Sequence, residues 1–132
     1  MWEMRFLGFA VLAFLELALA DGIGLIEHPK EPAGDTSAAS IWRLPLMKAI
    51  SELPNVALMT LSQSLLGAKS SKPTALLTLN LPQLLKCLHE HRVCTENPRV
   101  STIGKDQMGR WSTAVLKEYP PAFCRGLSVS LF

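Results

Sequence analysis

Two cysteines and a histidine have a spacing that could hold a metal ion. If residues 87–94 form a helix, Cys87, His91 and Cys94 fall at i, i+4 and i+7, on one face. Thiolates and imidazoles bind zinc, but structural zinc sites use four ligands, often as C-x-x-C pairs from separate elements. A buried cysteine beside solvated histidines is the interpretation we favour. We therefore predict that the chain has no metal site. If it had one, Cys87, His91 and Cys94 would be the candidate ligands.

Glu27 is a candidate for acid chemistry because of its place in the chain. Residues 23–27 (IGLIE) form a short apolar run that predicts a buried strand, and Glu27 ends that run. In open α/β sheets, ligands bind outside the carboxyl ends of the strands, so a carboxylate there is placed to meet one. The alternative is an exposed glutamate at a strand end.

Residues 63–74 (QSLLGAKSSKPT) combine an amide, a glycine, three serines and two lysines. The segment lacks the G-x-x-x-x-G-K-[ST] pattern of a nucleoside-triphosphate loop, since Gly67 is its one glycine. Lys69 and Lys72 are instead placed to contact a nucleic-acid backbone, without sequence specificity. The alternative is that both lysines keep a surface loop soluble.

No catalytic motif stands out elsewhere in the chain. It has three histidines but no G-x-S-x-G, H-E-x-x-H or G-x-G-x-x-G pattern. The sequence therefore predicts no enzyme activity for the chain on its own and no cofactor.

Composition restricts the class of protein. The 132 residues are 48% apolar and 18% charged, which excludes a disordered tail and fits one small domain. Residues 1–63 carry a net charge of −3 and residues 64–132 one of +5. The basic half is consistent with phosphate binding or with a solvated surface. An odd number of cysteines, three, fits reduced thiols better than a disulfide framework and favours a cytoplasmic or nuclear location.

The first twenty residues allow two interpretations. Arg5 precedes an apolar run that ends in Ala-Leu-Ala at 18–20, as in a secretory signal peptide. However, Glu3 cancels the basic charge and Glu16 interrupts the apolar run. The other interpretation, which we favour, is an apolar core helix over residues 1–20 followed by a single α/β domain over 21–132.

Hydrophobic spacing and turn residues predict the remaining elements. We expect a helix that starts at Pro45 and stops before Pro54, a strand over 55–62 and another over 74–79. Asn80 is a favourable N-cap for a helix that runs to about residue 91, and Pro121 opens a terminal helix. The helix between the first two strands predicts a parallel pair. The short connection between the last two strands predicts an antiparallel hairpin.

Several short motifs together resemble one known family. They are Leu25-Ile26-Glu27-His28-Pro29, Ser40-Ile41-Trp42-Arg43-Leu44-Pro45, the Gln63…Gly67…Lys72-Pro73-Thr74 loop and Tyr119-Pro120-Pro121. Their order over residues 23–131 resembles the C-terminal half of phage-type and retroelement-associated DNA (cytosine-5)-methyltransferase-like proteins. The resemblance implies a partial Rossmann-like sheet of about three strands, with an antiparallel terminal hairpin and flanking helices.

The resemblance also implies roles for particular residues. Glu27 matches the family's base-contacting acid, with His28 in place of the usual asparagine, and Gln63, Lys69 and Lys72 match its DNA-facing loop. The family's glycine-rich methyl-donor turn and its cysteine after a proline have no counterpart here. A covalent mechanism needs the thiolate and the acid together.

These observations predict a methyltransferase-like chain that is catalytically incomplete and contacts a nucleic-acid backbone. A sheet of three strands would lack the neighbouring strands of the family's larger sheet, so one strand edge would be exposed. We therefore also expect self-association, or a partner chain that covers this edge. The alternative function is that of a small secreted or lumenal binding protein whose residues 1–20 are removed.

Overall fold

The computed structural model describes residues 2–31, 33–34, 40–68, 71–93, 107–109 and 119–132. Its helices are α1 (Trp2–Leu19), α2 (Pro45–Ser51), α3 (Leu84–Glu90) and α4 (Pro121–Leu131). Its strands are β1 (Gly24–Pro29), β2 (Val56–Ser62) and β3 (Pro73–Leu79). Single 3₁₀ turns lie at Ile41–Arg43 and Gln63–Leu66. The predicted start of α2 and α4 at a proline is confirmed, because both helices have proline in their first turn.

The three strands form one open antiparallel sheet in the order β1-β3-β2, and the protein is a mixed α/β structure. The predicted hairpin of β2 and β3 is confirmed. The predicted parallel pairing of β1 with β2 is wrong, because β3 lies between them. β1 and β2 still run in the same direction, so the chain from β1 through α2 to β2 is a split βαβ arrangement.

The chain divides into two compact units, Met1–Thr60 with Ala75–Pro82, and Leu61–Thr74 with Gln83–Phe132. We call them the first and second units. The boundary cuts across β2 and β3. The prediction of a single domain over residues 21–132 stays a prediction.

The core of the first unit joins α1, α2 and β3. Its buried residues are Val11, Phe14, Met47, Ile50, Leu77 and Leu79. Gly24 of β1 allows a close approach to α1, since a Cβ atom at this position would lie 3.1 Å from the Phe14 ring. Burial of these side chains is the main stabilising contribution of the unit.

Residues 1–20 thus contribute to a core in this structure. Val11 and Phe14 of α1 are each only 2% exposed, and loss of the segment would remove both from the cluster. Among the helices of the described residues, none combines the length and the hydropathy needed to span a bilayer.

The second unit packs α3 against α4. A Cβ atom added to Gly126 of α4 would lie 2.9 Å from Cδ2 of Leu88 in α3 and 3.3 Å from the Cys87 carbonyl oxygen, so the Leu88 side chain would have to shift to admit it. Leu84 and Cys87 of α3 and Phe123 of α4 are buried in the same unit. This contact positions the start of α4, where Tyr119 precedes the two prolines.

We predict that Phe14→Ala lowers the free energy of unfolding by about 3–5 kcal/mol, because it opens a cavity in the core of the first unit. Phe6→Ala on the same helix is the matched control. Phe6 is 69% exposed, so its removal should change stability by less than about 0.5 kcal/mol. Urea unfolding of both variants at the same low protein concentration measures this. Equal losses would contradict the packing of α1 through Phe14.

Candidate functional site

Glu27 lies within β1 and does not end it, because the strand continues to Pro29. The prediction that Glu27 ends its strand is therefore wrong by two residues. Its side chain is half-buried, and its Oε1 atom is shielded from solvent. Side chains of successive strand residues point to opposite faces, so Glu27 and His28 are on opposite faces of β1. They cannot act together as an acid–base pair on one ligand.

The end of β1 is held by the segment around Trp42. Nε1 of Trp42 donates a hydrogen bond to the Pro29 carbonyl at 2.9 Å, and the Trp42 ring meets His28 edge to face, with centroids 6.1 Å apart. Arg43 forms an ion pair with Glu31. These contacts explain the Ser-Ile-Trp-Arg motif as an anchor for the segment after β1.

The β2–β3 connection (residues 63–72) is organised from inside by Gln63. The Gln63 side chain is 1% exposed, and its Nε2 donates to Oγ1 of Thr74 at 3.0 Å. The Thr74 hydroxyl donates in turn to the Lys72 carbonyl at 3.0 Å. Gly67 ends the 3₁₀ turn with a φ of 95°, a conformation that favours glycine. Gln63 therefore shapes the connection from within, and its amide is not at the surface where a phosphate would bind.

Lys72 lies beside an aromatic pair in the second unit. Its Nζ is 5.2 Å from the centroid of the Tyr119 ring, and Tyr119 stacks on Phe123 with centroids 5.1 Å apart. A cation over an aromatic face contributes about 0.5–1 kcal/mol at an exposed site. Tyr119 keeps about two fifths of its surface exposed. The structure thus places a lysine and a half-exposed ring together at the surface, and Lys69 lies outside the described residues.

Tyr119 is the residue that the sequence analysis did not identify as a site residue. It lies 47 positions after Lys72 and was visible only as part of the Tyr-Pro-Pro motif. An aromatic residue two positions before the start of a helix was the available signal.

The candidate metal ligands do not come together in the part of the chain that the structure describes. Cys87 is buried on α3, and Nδ1 of His91 is 2.7 Å from the Cys87 carbonyl oxygen, where the ring nitrogen donates. Within the described residues, no group of three or more histidine, cysteine or acidic side chains has a metal-binding arrangement. Cys94 lies outside these residues.

A shallow cavity of about 310 Å³ opens in the first unit between the start of β2 and the end of β3. It is lined by Asn55, Val56, Ala57, Thr78, Asn80, Leu81 and Pro82. Asn80 has a φ of 53°, and its Nδ2 donates to the Gly22 carbonyl at 2.7 Å. The prediction that Asn80 caps a helix is wrong, because α3 begins at Leu84. The lining carries amides and a hydroxyl but no acid, base or thiol for catalysis.

No family model, curated protein or solved structure matches this chain. The methyltransferase-like interpretation therefore depends on the order of motifs and elements in the chain itself.

We predict that the Gln63–Thr74 hydrogen bond is energetically coupled. Gln63→Leu and Thr74→Val should each lower the free energy of unfolding by about 1–3 kcal/mol, because each leaves a buried polar group without its partner. The double variant should lose less than the sum of the two, since it removes both polar groups. Chemical denaturation of the four proteins measures the coupling. Strict additivity would contradict this account of the connection.

Proposed function

We propose that the protein is a non-catalytic binding protein that contacts a nucleic-acid backbone through the β2–β3 connection. The observation that carries the proposal is the placement of Lys72 beside the half-exposed Tyr119 ring. A lysine attracts phosphate, and the Tyr119 ring, which stacks on Phe123, holds the Lys72 ammonium beside it. A cation held in this way suits contact with a phosphate backbone.

The charge distribution supports the same conclusion. Residues 64–132 carry a net charge of +5, against −3 for residues 1–63. Lys72 lies in the basic half, and so does Lys69. Such lysines contact phosphate groups and do not distinguish one base from another. The expected binding is therefore weak, independent of nucleotide sequence and sensitive to salt concentration.

The order of elements supports the further proposal of a degenerate methyltransferase-type, Rossmann-like origin. A strand with Glu27, the anchored Trp42 segment, α2, the β2–β3 hairpin and a terminal helix after Pro120-Pro121 follow one another as the resemblance implies. The methyl-donor turn and the nucleophilic cysteine after proline have no counterpart in the sequence. We therefore propose a binding role without methyl transfer and without a cofactor.

The sheet also bears on the proposal of a partner chain. β1 and β2 are the outer strands of the described sheet, and edge strands can pair with another chain. A partner that adds a strand at β1 would extend the sheet on the side where the methyltransferase family has further strands.

We predict a salt-dependent affinity that depends on two lysines. The log–log slope of affinity against salt should fall in magnitude by about 2 in Lys69→Ala/Lys72→Ala, because two phosphate contacts are lost. Fluorescence anisotropy with labelled single-stranded and duplex DNA, over a salt series, measures the slope.

Lys48→Ala/Lys86→Ala is the matched control for this titration. It removes the same charge from exposed positions on α2 and α3. Its slope should equal that of the unaltered protein. Equal slopes for all three proteins would remove the β2–β3 connection from the binding surface.

A further inference from the structure

Helix α1 presents a second apolar face to solvent, opposite the face that carries Val11 and Phe14. Phe9 is 71% exposed, Leu12 62% and Leu19 84%. A helix that is apolar on all sides is typical of one buried on all sides. The outer face of α1 therefore has the composition of an interface.

The outer face has a coiled-coil period. Arg5, Phe9, Leu12, Glu16 and Leu19 are separated by four, three, four and three residues, which is the a/d spacing of a heptad seam. All five side chains are exposed. We call this row the α1 seam.

The α1 seam is complementary to itself in one orientation. In an antiparallel pair centred between residues 10 and 11, Phe9 of one copy lies opposite Leu12 of the other. In the same register Arg5 lies opposite Glu16. A parallel pair would instead set arginine against arginine and glutamate against glutamate, which costs free energy.

We infer that α1 docks against α1 of a second copy of this chain, antiparallel and about a two-fold axis. A two-fold interface uses the same patch on both subunits, and the α1 seam meets this requirement. The two symmetry-related pairs of Arg5 with Glu16, here called the polar layers, fix the orientation and register of the two helices. Phe9 and Leu12 supply the apolar contact between them.

The available area fits a weak dimer. With ordinary side-chain areas, Phe9, Leu12 and Leu19 together expose roughly 400 Å² on each copy. The pair would then bury about 800 Å² of apolar seam, which is in the range of weak, transient interfaces. The dimer does not depend on nucleic-acid binding, because α1 belongs to the first unit and the proposed binding residues to the second.

Charge reversal tests the inference without disturbing the core. Arg5→Glu and Glu16→Arg each place like charges in both polar layers, so each should weaken dimerisation by on the order of tenfold or more. An equimolar mixture of the two variants restores opposite charges and should form a heterodimer. Sedimentation velocity under reducing conditions, over a concentration series, measures the dissociation constants.

Glu52→Arg, at the end of α2, is the control with the same change of net charge as Glu16→Arg, and circular dichroism checks that each variant is folded. The unaltered chain and the Glu52→Arg control should dimerise equally. A monomeric unaltered chain would overturn the inference. So would single variants that dimerise as well as the unaltered chain, or a mixture that fails to restore the dimer.

Discussion

Burial of β3 on both faces is the constraint on which the sheet depends. Leu76 and Leu77 are adjacent and both fully buried, although adjacent strand residues point to opposite faces. One face carries Leu77 and Leu79 into the core with α1 and α2. The other face carries Thr78, whose hydroxyl donates to the Ala57 carbonyl of β2 at 3.2 Å. A strand buried in this way must have a neighbour on each side, because its backbone groups have no water to bond.

The central position of β3 explains which elements the sequence could predict. The run from Thr74 to Leu79 indicated a buried strand, and the short connection before it, residues 63–73, indicated a hairpin. The insertion of β3 between β1 and β2 could not be predicted, because the crossover rule concerns the handedness of the connection from β1 to β2 and does not say whether a later strand lies between them. Asn80 shows the same limit. Its type and its place before Pro82 are typical of a helix N-cap, but a bond to Gly22, 58 residues away, determines its conformation.

The candidate site shows which site residues can be predicted from residue type alone and which cannot. Gln63 lies in a polar loop, and such a loop indicates a surface amide, yet Thr74 holds it in the interior. Lys72 was identified from its charge, and its pairing with Tyr119 needed the fold, because 47 residues separate them in the chain. Residues whose role depends on a near neighbour were accessible to sequence reasoning. Those whose role depends on a tertiary contact were not.

Hydrogen exchange resolved to single amides tests the central position of β3 most directly. Each amide of β3 points toward a neighbouring strand, whereas alternate amides of the outer strands point away from the sheet. The account predicts that the amides of Leu76 and Leu77 exchange only through global unfolding, with the same free energy as urea unfolding gives. It also predicts that β2 amides exchange through smaller openings. Protection of β3 no greater than that of β2 would contradict the account.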